Sequence, residues 1–454
     1  MTVEKAENKL KWWQLSILGV GFVIGTGFFL GSTIAIQSAG IMVLIPFVLA
    51  SLGTYIIYDA LSRMTAADPQ QGSFSYYSNK AYGRWAGFSS GWVYWSSEML
   101  IMGSQMIGIS IFTKFWFPNL PLWICATIYT VLAIIIVLIG IKWFERFGNL
   151  FAIAKLAAIL IFIGLASMAI FGVFGKTAVL HYPRSLSSAF PNGLTGLWAA
   201  LLYSFYAYGG IEIMSIYATR LKDPKEAPKS GKFMLLMLTI IYVISIGLAI
   251  ILVPLKAFNM KESPFVVALE HFNLGFVPHL FNGIMIIAGF STMTASLFAV
   301  TTMIVNLSKA GNAPKVFHKR SKWTLPPPAL ILTVVGLSTS IVMGLLLPNK
   351  VYEYITTAAG LLLLYNWLFV LYAAKKLLPL TKFDHIKRYV GVLLILFAVT
   401  GTLFHNSSRP GFFISLGFLV IIAIVAWRVN KSTDNSEMDL SQPSSLFIKL
   451  KWQE

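Results

Sequence analysis

The stretch GVGFVIGTGFFLGS, Gly19 to Ser32, decides the reading of this chain. It lies in an apolar run from about Gln14 to Gln37, long enough to cross a bilayer as a helix. Gly19, Gly21, Gly25, Gly27 and Gly31 put five glycines into thirteen residues of it. Each glycine weakens a helix interior by roughly 0.5–1 kcal/mol relative to alanine, so the run predicts a helix that opens in the middle. In hydrocarbon an opened backbone persists only where protein shields it or where it lines a wet cavity. Its freed N–H and C=O groups are then open to a ligand. The competing reading is close packing, because Gly21/Gly25 and Gly27/Gly31 both have small-xxx-small spacing. A nucleotide loop does not fit: the spacing is not G-x-G-x-x-G and no Lys-Ser/Thr pair follows.

The 454 residues are 57% hydrophobic and 11% charged, with mean hydropathy +0.74, more apolar surface than a soluble core absorbs. Apolar runs predict about twelve spans, at 14–36, 42–62, 86–112, 121–141, 149–173, 194–219, 233–255, 279–307, 327–348, 353–374, 388–405 and 411–428. With the N-terminus inside, seven of the 35 Lys/Arg fall in external segments (Lys114, Lys176, Arg184, Lys256, Lys261, Lys350, Arg409) and Lys155 falls inside a span. The other 27 are cytoplasmic, which predicts both termini there, in a cell-membrane protein. The net charge of +18 is therefore a topology signal with some attraction for anionic lipid, not a nucleic-acid footprint. No cleavable signal peptide is expected, because the first apolar run is too long. Cys125 is the only cysteine, so neither a disulfide framework nor a thiolate metal cluster is expected, and no metal or cofactor is assigned.

Taken in order, the tail of residues 1–13 ends on Trp12 and Trp13, an interfacial anchor. Asp59 at the inner end of span two stands four residues before Arg63, the spacing of a local ion pair. The connection from Thr65 to Arg84 predicts a short surface helix. Glu98 lies a third of the way into span three. Lys155 lies two turns into span five, where its alternatives are snorkelling to the interface and a buried role. Span six reads LYSFYAYGGIEIMSIYA, with Gly209-Gly210 followed by Glu212. It is a second interrupted helix, at the matching position of a second set of five spans. Such a pair points to an inverted-repeat transporter with its site at the midplane. The segment ESPFVVALEHF, residues 262–272, is amphipathic and predicts an external lid. Ser291, Thr292 and Thr294 add hydroxyls to span eight, and the tail from 429 is polar.

Several motifs then resemble the amino acid–polyamine–organocation (APC) superfamily, particularly its bacterial amino acid permeases, over roughly residues 10–430. They are GFVIGTGFFLGS in span one, QGSFSYYSNKAYGRWAGFSSGWVYW into span three, the lysine of span five, FYAYGGIE in span six and LSKAGNAPKVF after span eight. The resemblance implies an all-α LeuT-type membrane fold. Its two inverted five-span repeats would be residues 14–173 and 194–374, with peripheral spans in 388–428. It implies that N–H groups around Thr26 and Gly27 hold a substrate carboxylate, which agrees with the donors and positive dipole end of a half-helix N-terminus. Carbonyls near Val23 and from Phe205 to Tyr208, beside Gly209, would receive the α-ammonium. Tyr206 would close over the substrate, and Met102 of span three would face it. Lys155 matches the lysine that takes the place of sodium in proton-dependent members, reaching carbonyls near Gly19 and Phe22 and the hydroxyls of Ser291 and Thr292. Glu212 matches a glutamate below the span-six break. Glu98 has no family role and three readings: selecting a cationic substrate, sharing a proton, or pairing internally.

The reading is a secondary transporter that imports amino acids by alternating access, driven by protons, with neutral substrates first and cationic ones second. Its partners are the substrate, protons and the lipid bilayer, and no oligomeric state is assigned. The alternatives are a proton-independent exchanger on the same fold and, from another class, a polytopic membrane enzyme or sensor. Against the latter, His181, His271, His279, His318, His385 and His405 all fall at or near loops. None belongs to an H-E-x-x-H motif or a Ser-His-Asp set.

Overall fold

The computed structural model describes residues 10–69, 73–139, 141–173, 180–182, 185, 189–218, 221–270, 275–319, 325–347 and 350–441; for 141–149, 216 and 430–441 it describes the backbone alone. Lys176, Arg184, Arg220 and His271, residues 1–9 of the N-terminal tail and the end of the C-terminal tail lie outside the described residues.

Span one is three short helices, α1 (Trp12–Val23), α2 (Thr26–Phe29) and α3 (Gly31–Ala39). Span two is α4 (Leu44–Ala67), and α5 (Ser73–Tyr82) leads into span three, α6 (Arg84–Thr113). Spans four and five are α7 (Leu122–Ile139) and α8 (Ile141–Ile170). Span six is split into α9 (Gly193–Ala207) and α10 (Ile211–Ala218). Then come α11 (Ala227–Leu252), the short α12 (Pro264–Glu270), α13 (Val277–Lys309), α14 (Pro327–Leu346), α15 (Val351–Leu377), α16 (Lys382–Phe404) and α17 (Arg409–Ser441). No β-strand occurs among the described residues, and one parallel bridge joins Leu10 to Leu221.

Among the described residues nine segments are long and apolar enough to cross a bilayer unaided, with Thr26–Ala67 running the second half of span one into span two. Spans three and six are not among them, for a physical reason. Over its central turns α6 carries Ser96, Ser97, Glu98, Ser104 and Gln105, all buried, and α9 is cut short by its break. These polar or broken helices sit inside the bundle, where α6 packs most extensively against α13 and α15. One expectation is corrected here. The helix expected on the surface, α5, buries Phe74 and Tyr77. The helix of span five starts at Ile141, and its apolar part, Leu150–Ile170, falls where the span was expected. The expected Asp59–Arg63 pair forms at 3.9 Å, and it is part of a larger cluster: Arg63 stands 3.1 Å from Asp384 on α16, and Lys387 approaches Asp59 at 3.8 Å.

Within the amphipathic segment, Pro264–Glu270 form α12, which buries Phe265, Val266 and Leu269. Its Phe265 ring meets Phe28 on α2 at 5.1 Å and Phe162 on α8 at 4.9 Å, so α12 lies directly over the second half of span one. Burial pushes the carboxyls of Glu262 and Glu270, at the two ends of this segment, above the usual carboxylate range.

Candidate functional site

The first break falls at Ile24 and Gly25. Ile24 is extended (φ −68°, ψ 114°), and so is Gly25 (φ −152°, ψ −162°). In an unbroken helix the Gly25 N–H would bond the carbonyl of Gly21. Here that carbonyl accepts from Lys155 Nζ at 2.9 Å instead. The ammonium also donates to Thr292 Oγ1 at 2.8 Å, and the threonine's own proton goes to the Ala288 carbonyl at 2.8 Å. Lys155 is 2% exposed, which rules out snorkelling. Phe22, Ser291 and Thr292 line a cavity of about 20 Å³ beside it, room for about one water. The bonded carbonyl is therefore Gly21, not Gly19 or Phe22, and Ser291 lines the cavity without a described bond to the ammonium. Gly19 faces elsewhere, toward Met214 and Met234. Gly21 allows Ala152 of α8 to approach so closely that a side chain at 21 would collide with it.

On the far side of the break, the Thr26 N–H and hydroxyl both donate to Gln105 Oε1, at 2.9 and 2.7 Å. The Thr26 carbonyl accepts from the Tyr352 hydroxyl at 2.8 Å. Among the described hydrogen bonds, none is made by the N–H of Gly25 or of Gly27. The Tyr206 ring lies flush against Gly27: a Cβ there would stand 3.0 Å from its Cε1. The Tyr206 hydroxyl bonds Ser104 on α6.

The second break spans Tyr208 to Gly210, and Gly210 has φ +111°. It runs across the first, since a Cβ on Gly210 would lie 3.2 Å from the Phe22 carbonyl oxygen and 3.4 Å from Val23 Cα. Its loose groups are partly taken. The Phe205 and Tyr206 carbonyls accept from the N–H groups of Tyr208 and Gly209, at 2.9 and 3.1 Å, and the Ala207 carbonyl accepts from Tyr242. The Tyr208 carbonyl has no partner among the described hydrogen bonds. The buried Glu212 carboxyl accepts from the Gly210 N–H at 3.0 Å and from the Trp367 indole N–H of α15. Glu212 therefore caps α10 and fixes the break. Gly210→Ala forces an L side chain into a left-handed φ against the Phe22 carbonyl. Its expected cost is roughly 1–3 kcal/mol, read as a lower unfolding temperature in detergent.

Glu98 is 2% exposed, and Ser296 Oγ donates to its carboxyl at 3.3 Å. Its partner is thus internal and uncharged, and no ion pair reaches it among the described residues. Met102 is buried on α6, in the same apolar cluster as Val23 and Ile24 at the first break and Tyr208 at the second. Its neighbours Ser104 and Gln105, which sequence reasoning missed, touch both. The signal was present, since two adjacent polar residues at the middle of an apolar span need partners.

Two broken helices that cross inside a bundle of spanning helices define a multi-pass membrane transporter of LeuT type rather than an enzyme. The amino acid permease model matches residues 14–379, so the chain belongs to the amino acid permease family of the APC superfamily. It is 51% identical over 439 residues to the uncharacterized transporter YcgH of Bacillus subtilis, covering 96% of this chain and 98% of that one. It is 29% identical over 371 residues to the aromatic amino acid transport protein AroP of Corynebacterium glutamicum, covering 80% of each. It is 26% identical over 452 residues to the gamma-aminobutyric acid permease of B. subtilis, covering 96% of each. A crystal structure of a point mutant of the Eremococcus coleocola manganese transporter shares the fold, with TM-score 0.58 at 14% identity over 94% of this chain and 98% of that one.

Proposed function

We propose that this permease carries neutral amino acids into the cell by proton-coupled alternating access, from the cell membrane and with both termini cytoplasmic. The observation that carries the site is the crossing of two breaks with the Gly25 and Gly27 N–H groups unpaired on one side and the Val23 and Tyr208 carbonyls on the other. Buried unpaired donors are costly, roughly 1–3 kcal/mol each, and a carboxylate satisfies them. The Val23 and Tyr208 carbonyls, without partners among the described hydrogen bonds, suit an α-ammonium. The Tyr206 ring now fills the space against Gly27, so admitting a substrate requires the ring to swing and its bond to Ser104 to break. The α12 segment, packed on Phe28, closes from outside.

In this reading residues 14–173 and 194–374 are the two repeats, and 388–428 is peripheral. Lys155 couples the cycle. Protonated, it bridges Gly21 of span one to Thr292 of span eight; deprotonated, it loses the charge that strengthens both bonds, and span one is freed to tilt. A fixed ammonium in that place also argues against sodium there. The relatives named for aromatic amino acids and for gamma-aminobutyric acid concern neutral zwitterions, which supports neutral substrates. Glu98, with no cation beside it, is the feature that favours cationic substrates as the second choice.

A thermal-shift screen of the purified protein against the twenty amino acids is expected to single out neutral ones. Uptake of the best of them into proteoliposomes is expected to rise with an imposed inward proton gradient. Uptake that responds only to internal amino acid would replace this reading with a proton-independent exchanger.

A further inference from the structure

We propose that Gln105 of α6 is a direct ligand of the substrate carboxylate, through its side-chain NH₂ group. This rests on the reading of the first break as the carboxylate site. Gln105 is 4% exposed, and its Oε1 accepts two bonds from Thr26, at 2.9 Å from the N–H and 2.7 Å from the hydroxyl. A backbone N–H can only donate, so the atom facing it has to be the amide oxygen. That settles which way the amide points. Its Nε2 is then turned to Gly25, at 2.8 Å from where a Cβ of residue 25 would lie.

Nε2 has no partner among the described hydrogen bonds, yet it is not among the enclosed unpaired polar atoms such as Tyr208 Oη. Three kinds of unpaired donor thus gather at the break: the Gly25 N–H, the Gly27 N–H and the Gln105 NH₂. Donors with no acceptor among them are the complement of a carboxylate, which has acceptor sites on both oxygens. Gly25 is required on this account for a further reason, because any side chain there takes the place of the NH₂ group.

The bland alternative is that Gln105 only caps Thr26. Gln105→Glu separates the two, because a carboxylate accepts from the Thr26 N–H and hydroxyl as well as the amide does but offers the substrate an anion instead of a donor. In proteoliposomes at pH 7.5, Gln105→Glu is expected to raise the half-saturation concentration for a neutral amino acid roughly tenfold or more. Competition by the carboxamide of the same amino acid is expected to weaken far less, since the amide brings its own donor; a capping role would move acid and amide together. If the glutamate variant does not fold, Gln105→Met, which removes the NH₂ donor without adding an anion, is expected to raise the half-saturation concentration for the acid several-fold. Wild-type half-saturation in either folded variant, or an unchanged acid-to-amide ratio in Gln105→Glu, overturns the proposal and leaves the functional reading standing. Absence of amino acid uptake by the unaltered chain overturns that reading and this inference with it.

Discussion

Alanine at position 155 is expected to abolish the response of uptake to a pH gradient, bringing it down to the level seen without one. The Lys155 ammonium joins two elements that otherwise touch only through packing, the Gly21 carbonyl in span one and the Thr292 hydroxyl in span eight. Removing it leaves the Gly21 carbonyl unpaired in a buried place, at a cost of roughly 1–3 kcal/mol, and enlarges a cavity already of water size. Some loss of thermal stability should therefore accompany the loss of coupling. The two effects separate in counterflow, where exchange of labelled for unlabelled amino acid needs no proton. Lys155→Ala protein that still exchanges but ignores the gradient fits the account. Gradient-driven accumulation by that variant would remove Lys155 from the coupling step.

The second large effect is expected at Glu212. Its two carboxyl oxygens face different donors, Oε2 the Gly210 N–H and Oε1 the Trp367 indole N–H. Glu212→Ala strands both in a fully buried place, each costing roughly 1–3 kcal/mol, and removes the anion that favours the start of α10. A marked fall in unfolding temperature and loss of transport are expected. Glu212→Gln keeps one acceptor but sets an NH₂ group against the other donor, so its loss should be intermediate. Adding Trp367→Phe to Glu212→Gln removes the opposing donor and should restore part of the stability, measured as thermal unfolding in detergent. Equal unfolding temperatures for wild type and Glu212→Ala would show that the carboxyl does not hold the break.

The glycines show how far sequence alone reaches. Their density in Gly19 to Gly31 announced an opened helix, and the break falls at Gly25. Packing and opening had stood as rivals, yet both occur, at different glycines. Gly21 admits Ala152, Gly27 admits the Tyr206 ring, and Gly25 supplies the extended turn itself. Composition cannot assign such tasks, because each depends on which neighbour faces which glycine. Lys155 was legible because a cation within a span must find partners. Its carbonyl was not: Gly21 is free only because the break withdraws the Gly25 N–H, and the register of the break is a tertiary result. Gln105 was missed because nothing local to α6 says that it faces Thr26, 79 residues away. Asp59 and Arg63 looked like a self-contained pair until α16 brought Asp384 closer to the arginine.

The most direct test of the two crossing breaks as the binding site is a structure determined with a transported neutral amino acid bound. The account predicts the carboxylate at about 3 Å from the Gly25 and Gly27 N–H groups, the ammonium at the Val23 and Tyr208 carbonyls, and Tyr206 swung away from Gly27. A substrate bound apart from both breaks, with spans one and six running as continuous helices, would contradict it.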